Sequence, residues 1–258
     1  MSLTLFIMQC LNGLQLGVLL FLMAAGLTLV FGIMNFVNLA HGSLYMMGAF
    51  IAATVYNHTG SFALAAIAIV PAMLLLGLIV EFVALKTLYD RDHLDQVLAT
   101  FGLILFFNEL ARMIWGPSPY YMEVPEWLSG TVNLFGLAYP AYRFLIIVVG
   151  LVVALGCYLL IHRTRIGMLI RAGSTHRQMV GALGVNIVLL NSLLFGLGAI
   201  LAGIAGLMAG PILSVQPGMG EPILILTMVV IVIGGIGSVR GAFLAALIVG
   251  VVDTGGRT

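Results

Sequence analysis

Charge is scarce in this 258-residue chain. Only 7% of its residues are Asp, Glu, Lys or Arg, against about 25% in a soluble globular domain. That deficit excludes an ordinary cytosolic enzyme, because a domain of this size must clothe its exterior in polar groups. Net charge is +1, so no global field attracts nucleic acid or an acidic partner. Lys86 is the sole lysine, and no Gly-x-x-x-x-Gly-Lys-Ser/Thr occurs, so the chain by itself does not cradle and hydrolyse a nucleoside triphosphate. No Lys or Arg precedes Lys86. The charged start of a cleavable signal peptide is therefore missing, and the first apolar segment is expected to stay in the mature protein. The two cysteines, Cys10 and Cys157, lie inside apolar runs and read as small buried hydrophobes rather than as a disulfide. The five histidines are scattered, with no Cys or carboxylate at ligand spacing, so no metal site is expected.

Apolar residues are what the chain has in excess: 62% of the sequence, with a mean hydropathy of +1.20. Eight apolar segments stand out, approximately Leu11 to Ile33, Ser43 to Tyr56, Phe62 to Leu85, Val97 to Trp115, Tyr142 to Ile161, Val188 to Ala209, Ile223 to Ile236 and Ala242 to Val252. At about 20 apolar residues per crossing, the expected fold is all-α: one polytopic membrane domain over residues 1–258 with about eight transmembrane or membrane-inserted helices. The second, seventh and eighth segments are too short to cross about 30 Å of hydrocarbon as straight helices.

Beside those short segments lie two polar or Gly-rich interruptions, Asn35 to Gly42 and Gly234 to Gly241. Both read as broken helices, with Gly42, Gly234, Gly235, Gly237 and Gly241 as structural glycines. Irregular backbone at membrane depth is tolerated only where protein or a water-filled cavity satisfies it. A faint echo links the two regions: Leu27-Thr28 with Leu226-Thr227, and Gly48-Ala49-Phe50 with Gly241-Ala242-Phe243. Paired interrupted segments point to a repeat-built transporter, and a chance likeness stays open beside it.

Orientation follows from basic residues in short loops. His162 to Asn186 holds Arg163, Arg165, Arg171 and Arg177 with no acid, whereas Gly116 to Pro140 holds Glu123 and Glu126 with no base. The Arg-rich loop is expected in the cytoplasm, with Lys86 and Arg91 on the same side by parity. The side of the N-terminus stays open. Uncharged polar residues are candidates for a lining that hydrogen-bonds a solute without burying charge: Asn12, Gln15, Asn35, Asn38, His41 and Thr227. The plainer reading of each is an amide or hydroxyl that pairs between helices. Glu81 reads as a structural carboxylate and Glu109 with Arg112 as a local ion pair. In the Arg-rich segment 162–186, Ser174-Thr175 is expected to cap a helix starting near His176, and Gly184 to stop it after about two turns. A helix on such a loop reads as a docking element for a cytosolic partner.

The run Gly26-Leu27-Thr28-Leu29-Val30-Phe31-Gly32-Ile33-Met34-Asn35-Phe36-Val37-Asn38-Leu39-Ala40-His41-Gly42, followed by Met46-Met47-Gly48-Ala49-Phe50, closely resembles the signature of Liv-type permeases of branched-chain amino acid ABC importers. So do Arg163-Thr164-Arg165-Ile166-Gly167 with Arg171-Ala172, Ala182-Leu183-Gly184-Val185-Asn186, and Gly234 to Ala242. The resemblance implies a non-enzymatic, multi-pass subunit of a bacterial inner membrane. Its implied partners are a second homologous permease, two cytosolic ATP-binding subunits that carry the ATP, and a periplasmic solute-binding protein; no cofactor is implied on this chain. Thr175 to Leu183 would be the coupling helix, with Thr175, His176, Arg177, Gly181 and Gly184 as its contact residues, and the Asn35 to Gly42 break would border the translocation path. His176-Arg177-Gln178 departs from the Glu-Ala-Ala sequence frequent in ABC permeases. Members usually continue with a further apolar helix beyond the position where this sequence stops. An importer of urea, short amides or aromatic acids is the near alternative, and a stand-alone channel or ion-coupled carrier the distant one.

Overall fold

A computed structural model describes residues 3–34, 36–89, 91–134 and 137–256. The expected all-α membrane architecture is what it contains. Ten helices run in order: α1 (Leu3–Met34), α2 (His41–Thr59), α3 (Phe62–Val80), α4 (His93–Trp115), α5 (Ala141–Arg163), α6 (Arg165–Thr175), α7 (Arg177–Ala182), α8 (Ile187–Ala209), α9 (Gly220–Gly234) and α10 (Val239–Gly256). Six of the helical stretches are long and apolar enough to cross a membrane: α1, α3 with its continuation to Leu88, α4, α5, α8 and α10. With α2 and α9 these account for all eight expected segments. The last one is longer than its apolar run, because Val239 to Gly241 and Asp253 to Gly256 continue the helix at both ends. A hairpin of β1 (Thr131–Leu134) and β2 (Leu137–Pro140) lies between α4 and α5.

The core is built around α1 and α8. From Gly17 to Val30 every residue of α1 is buried, and small residues let neighbouring backbones close on it, as in membrane bundles generally. Gly13 and Gly17 face Gly250 and Ala246 of α10, Gly26 faces Gly198 of α8, and Gly32 faces Gly237. These contacts order α1 and α10 as an antiparallel pair and put the end of α1 at the Gly235–Ser238 turn. Phe21 closes the pair edge-on against Phe243, ring centroids 5.1 Å apart. On the far side of α8, Gly203 and Gly206 admit Met73 of α3 and the Tyr45–Ala49 stretch of α2. Large apolar side chains such as Ile67, Leu98, Met113 and Val232 point away from the protein, toward hydrocarbon rather than water.

This packing resolves the open end of the topology. Arg240 at the start of α10 bonds His162 at the end of α5, so the Gly235–Ser238 turn lies at the Arg-rich end, the one expected in the cytoplasm. Since α1 ends there too, its N-terminus lies on the opposite side.

The two interruptions differ from each other and in part from expectation. Between α1 and α2 the chain turns back into the bundle: His41 packs against Gly26, about 12 Å along α1 from its end at Met34. Gly234 to Gly241, expected as a second broken helix, is a tight hairpin turn between α9 and α10 at the Arg-rich end. Gly234 and Gly241 are in backbone contact, and Gly235 and Gly237 adopt φ of 87° and 83°, a conformation other residues enter at a cost. The real second break precedes α9, at residues 210–219, where Pro211 follows the end of α8 and Pro217 and Gly218 stand just before the start of α9. The echoed segments therefore do not share a connection geometry.

Candidate functional site

Both re-entrant connections lead to one place. α2 runs outward from His41 and α9 runs inward from Gly220, and their first turns lie side by side. A Cβ on Gly42 would sit 2.5 Å from the Gly220 carbonyl oxygen, so only glycine lets the two backbones meet. Neither helix has a side-chain cap, the preceding residues being Ala40 and Met219. Two helix starts, each the positive end of a helix dipole, thus lie side by side, with the N–H groups of His41, Ser43, Leu44 and Glu221 bonded to the carbonyls just before them.

The segment leading into α2 carries buried polar side chains with unpaired atoms. Asn38 and His41 are each 1% exposed. Among the described residues neither atom of the Asn38 amide nor the His41 Nε2 has a hydrogen-bond partner. Leaving such a group unmet costs about 1–3 kcal/mol each, which stability alone does not explain. The void beside Gly42, Ser43, Gly220 and Glu221 is only about 10 Å³, room for a single water at most. The junction is closed in this arrangement.

Helix α4 holds both re-entrant connections. Gln96, 2% exposed, accepts from the Val37 N–H at 3.4 Å while its amide donates to the carbonyls of Leu88 and Arg91. About 18 Å further along α4, Asn108 accepts from the Gly218 N–H at 3.1 Å and donates to Glu221 at 2.8 Å. Phe36 is fully buried and packs edge-on against Tyr89. Neither α4 amide was among the candidates read from sequence. The signal available for Gln96 was a lone glutamine near the start of an apolar helix.

The sequence candidates separate into groups. Asn38 and His41 are both buried in the segment that leads into α2, whereas Thr28 faces a separate groove between α1, α5, α6 and α10. Asn12 lies about 21 Å away along α1, where its carbonyl oxygen accepts from Arg143 at 2.7 Å and Tyr139 at 3.3 Å and fastens α1 to α5. Burial raises the Tyr139 phenol above its ordinary pKa, against the lowering effect of Arg143. Gln15 is buried one turn inward from Asn12. Thr227 is buried in α9 with its hydroxyl bonded to the Ile223 carbonyl of its own helix. Asn35 lies outside the described residues. Glu81, in a π-helical turn ending α3, is held by the hydroxyls of Tyr89 and Ser192 at 2.8 and 2.9 Å, and Arg112 pairs with Glu109 at 2.8 Å as expected.

At the Arg-rich end, Thr164 closes α5 by donating to the Leu160 carbonyl and opens α6 by accepting from the Gly167 N–H. The expected cap of the next helix differs. Ser174 and Thr175 belong to the last turn of α6 and donate back to the Arg171 carbonyl, so α7 starts after His176 with no side-chain cap. It is shorter than two turns and stops, as expected, at Gly184, whose φ is 85°. Thr175, His176, Gly181 and Gly184 are exposed, and so are the apolar side chains of Met179 at 63% and Leu183 at 79%.

Comparison with known proteins puts this arrangement in context. The profile of the family described as "Branched-chain amino acid transport system / permease component" matches residues 9–258. The chain is 32% identical to the high-affinity branched-chain amino acid transport system permease protein BraD of Pseudomonas aeruginosa, over 97% of this chain and 86% of that one. It is 27% identical to LivH of Salmonella typhimurium, over 96% and 85%, and 25% identical to a probable LivH of Methanocaldococcus jannaschii, over 92% and 76%. No solved structure matches.

Proposed function

The chain belongs to the branched-chain amino acid permease family, and we propose that it is one of two membrane subunits of an ATP-driven importer in a bacterial inner membrane. A periplasmic binding protein delivers the solute, a small amino acid with a neutral side chain. Two cytosolic subunits bind and hydrolyse ATP, and a second homologous permease completes the passage.

The path runs past the α2–α9 junction. Two helix N-termini attract the solute carboxylate without a fixed cation that would hold it too tightly for release. Asn38 and His41 offer donors and acceptors that no protein group occupies. ATP binding pushes on α7, and the packed helices respond as a two-state body that parts or closes α2 and α9.

The observation that carries the ATP-driven reading is the pair Met179 and Leu183. Both are large, apolar and exposed on the Arg-rich cytoplasmic segment, and they suit a groove in another protein. The test is uptake of radiolabelled leucine into vesicles holding the whole transporter, with and without ATP inside. Leu183→Asp is expected to cut ATP-dependent uptake at least tenfold while the chain still inserts. Unchanged uptake would remove the coupling role, and uptake by this chain alone without ATP would replace the importer with a channel or carrier.

A further inference from the structure

Away from the junction, a cavity of about 760 Å³ lies between α1, α5, α6 and the start of α10. That volume falls within the roughly 300–1,000 Å³ of ligand sites. Its two ends differ in chemistry. Toward the membrane interior the walls are Phe21, Leu29, Leu151, Leu155, Phe243 and Leu244; Leu155 and Leu244 are 59% and 62% exposed, so the groove opens sideways toward the bilayer. At the cytoplasmic end the lining carries Arg171 and Arg240 and no carboxylate.

The basic end is organised. Arg240 lies over the Tyr158 ring, 5.0 Å from its centroid, and donates to His162 Nε2 at 2.8 Å. His162 stacks on Tyr158 and points Nδ1 at the Tyr158 carbonyl oxygen, so Nδ1 carries the proton and Nε2 accepts. Arg171 donates one N–H to the Ile161 carbonyl. A guanidinium has five N–H donors, and both arginines keep donors for an anion. Thr28 lines the same groove with its buried hydroxyl unpaired among the described residues. It lies one helical turn, about 6 Å, deeper than Gly32 at the surface turn.

We propose that this groove holds one anionic phospholipid of the cytoplasmic leaflet. Its phosphate sits between Arg171 and Arg240, Thr28 donates to an ester oxygen of its glycerol, and an acyl chain follows the apolar walls. Basic pockets between helices on the cytoplasmic side are where acidic head groups bind. The depth order of charge, hydroxyl and hydrocarbon is that of a phospholipid. The inference uses the membrane orientation and does not depend on which solute is carried.

Native mass spectrometry of the intact transporter, with phosphatidylglycerol and phosphatidylethanolamine added in equal amounts, tests it. The wild type is expected to retain phosphatidylglycerol. R171Q/R240Q is expected to retain at least tenfold less, whereas R163Q/R165Q, outside the groove, matches the wild type. Ala154→Trp, which fills the groove and leaves both arginines, is expected to lose the lipid as well and covers a failure of the double variant to fold. Four results would overturn the proposal: equal retention of both lipids, equal loss in both arginine pairs, displacement by millimolar inorganic phosphate alone, or a cysteine cross-link from position 155 to a second permease subunit.

Discussion

Gly42 and Gly220 meet backbone to backbone, 178 positions apart in the sequence, and their contact aligns the first turns of α2 and α9. Each lacks a side chain because the other's carbonyl occupies the space. The meeting point of two helix starts thus rests on two missing methyl groups, and the unpaired amide of Asn38 stands four residues before Gly42 in the sequence.

Gly220→Ala puts a methyl into the Gly42 carbonyl, where backbone rather than a flexible side chain must yield. Overpacking of this kind costs about 1–3 kcal/mol, so the purified variant is expected to unfold at lower temperature and to transport poorly. Gly102→Ala is the control, since nothing lies within 4 Å of a Cβ there and alanine favours helix. A Gly220→Ala protein as stable and active as the wild type would mean that the helices are not held in contact.

Asn38→Leu separates a transport role from a packing role. The leucine is close in volume and removes two buried polar atoms that have no partners among the described residues. If the amide serves the solute, thermal stability is expected to stay level or rise, while uptake falls at least tenfold. An amide that glues helices gives the opposite pattern, with stability lost first. Thermal unfolding and vesicle uptake on the same preparation distinguish the two.

The membrane segments were legible because each is a local run of apolar residues, and all eight appear as helices. The short helix in the Arg-rich segment and its stop at Gly184 were legible too, since glycine acts where it stands. What escaped is non-local. Gln96 bonds Val37 across 59 positions and Asn108 bonds Gly218 across 110, and no spacing rule announces such pairs. The second break was read at Gly234 because glycine-rich sequence marks it, yet those glycines serve a surface hairpin. The prolines and glycines of residues 211–222 open the re-entrant helix instead. Ser174 and Thr175 misled for a related reason: a hydroxyl near a helix boundary bonds the preceding helix as readily as it caps the next.

Gly184 ends α7 in the left-handed region with no atom within 4 Å of a Cβ, so its demand is for backbone conformation and not for space. Replacement by alanine costs about 1–2 kcal/mol at such a position, and asparagine, which tolerates it, costs less. Gly184→Ala is therefore expected to loosen the end of α7 and lower ATP-dependent uptake severalfold, Gly184→Val to lower it further, and Gly184→Asn to restore most of it. Gly181→Ala, inside the helix with only Ile187 nearby at 3.6 Å, is expected to leave uptake unchanged. The ranking of the four variants is the readout: a bulk effect would order them by side-chain size and put asparagine below alanine, whereas a conformational effect puts asparagine above it.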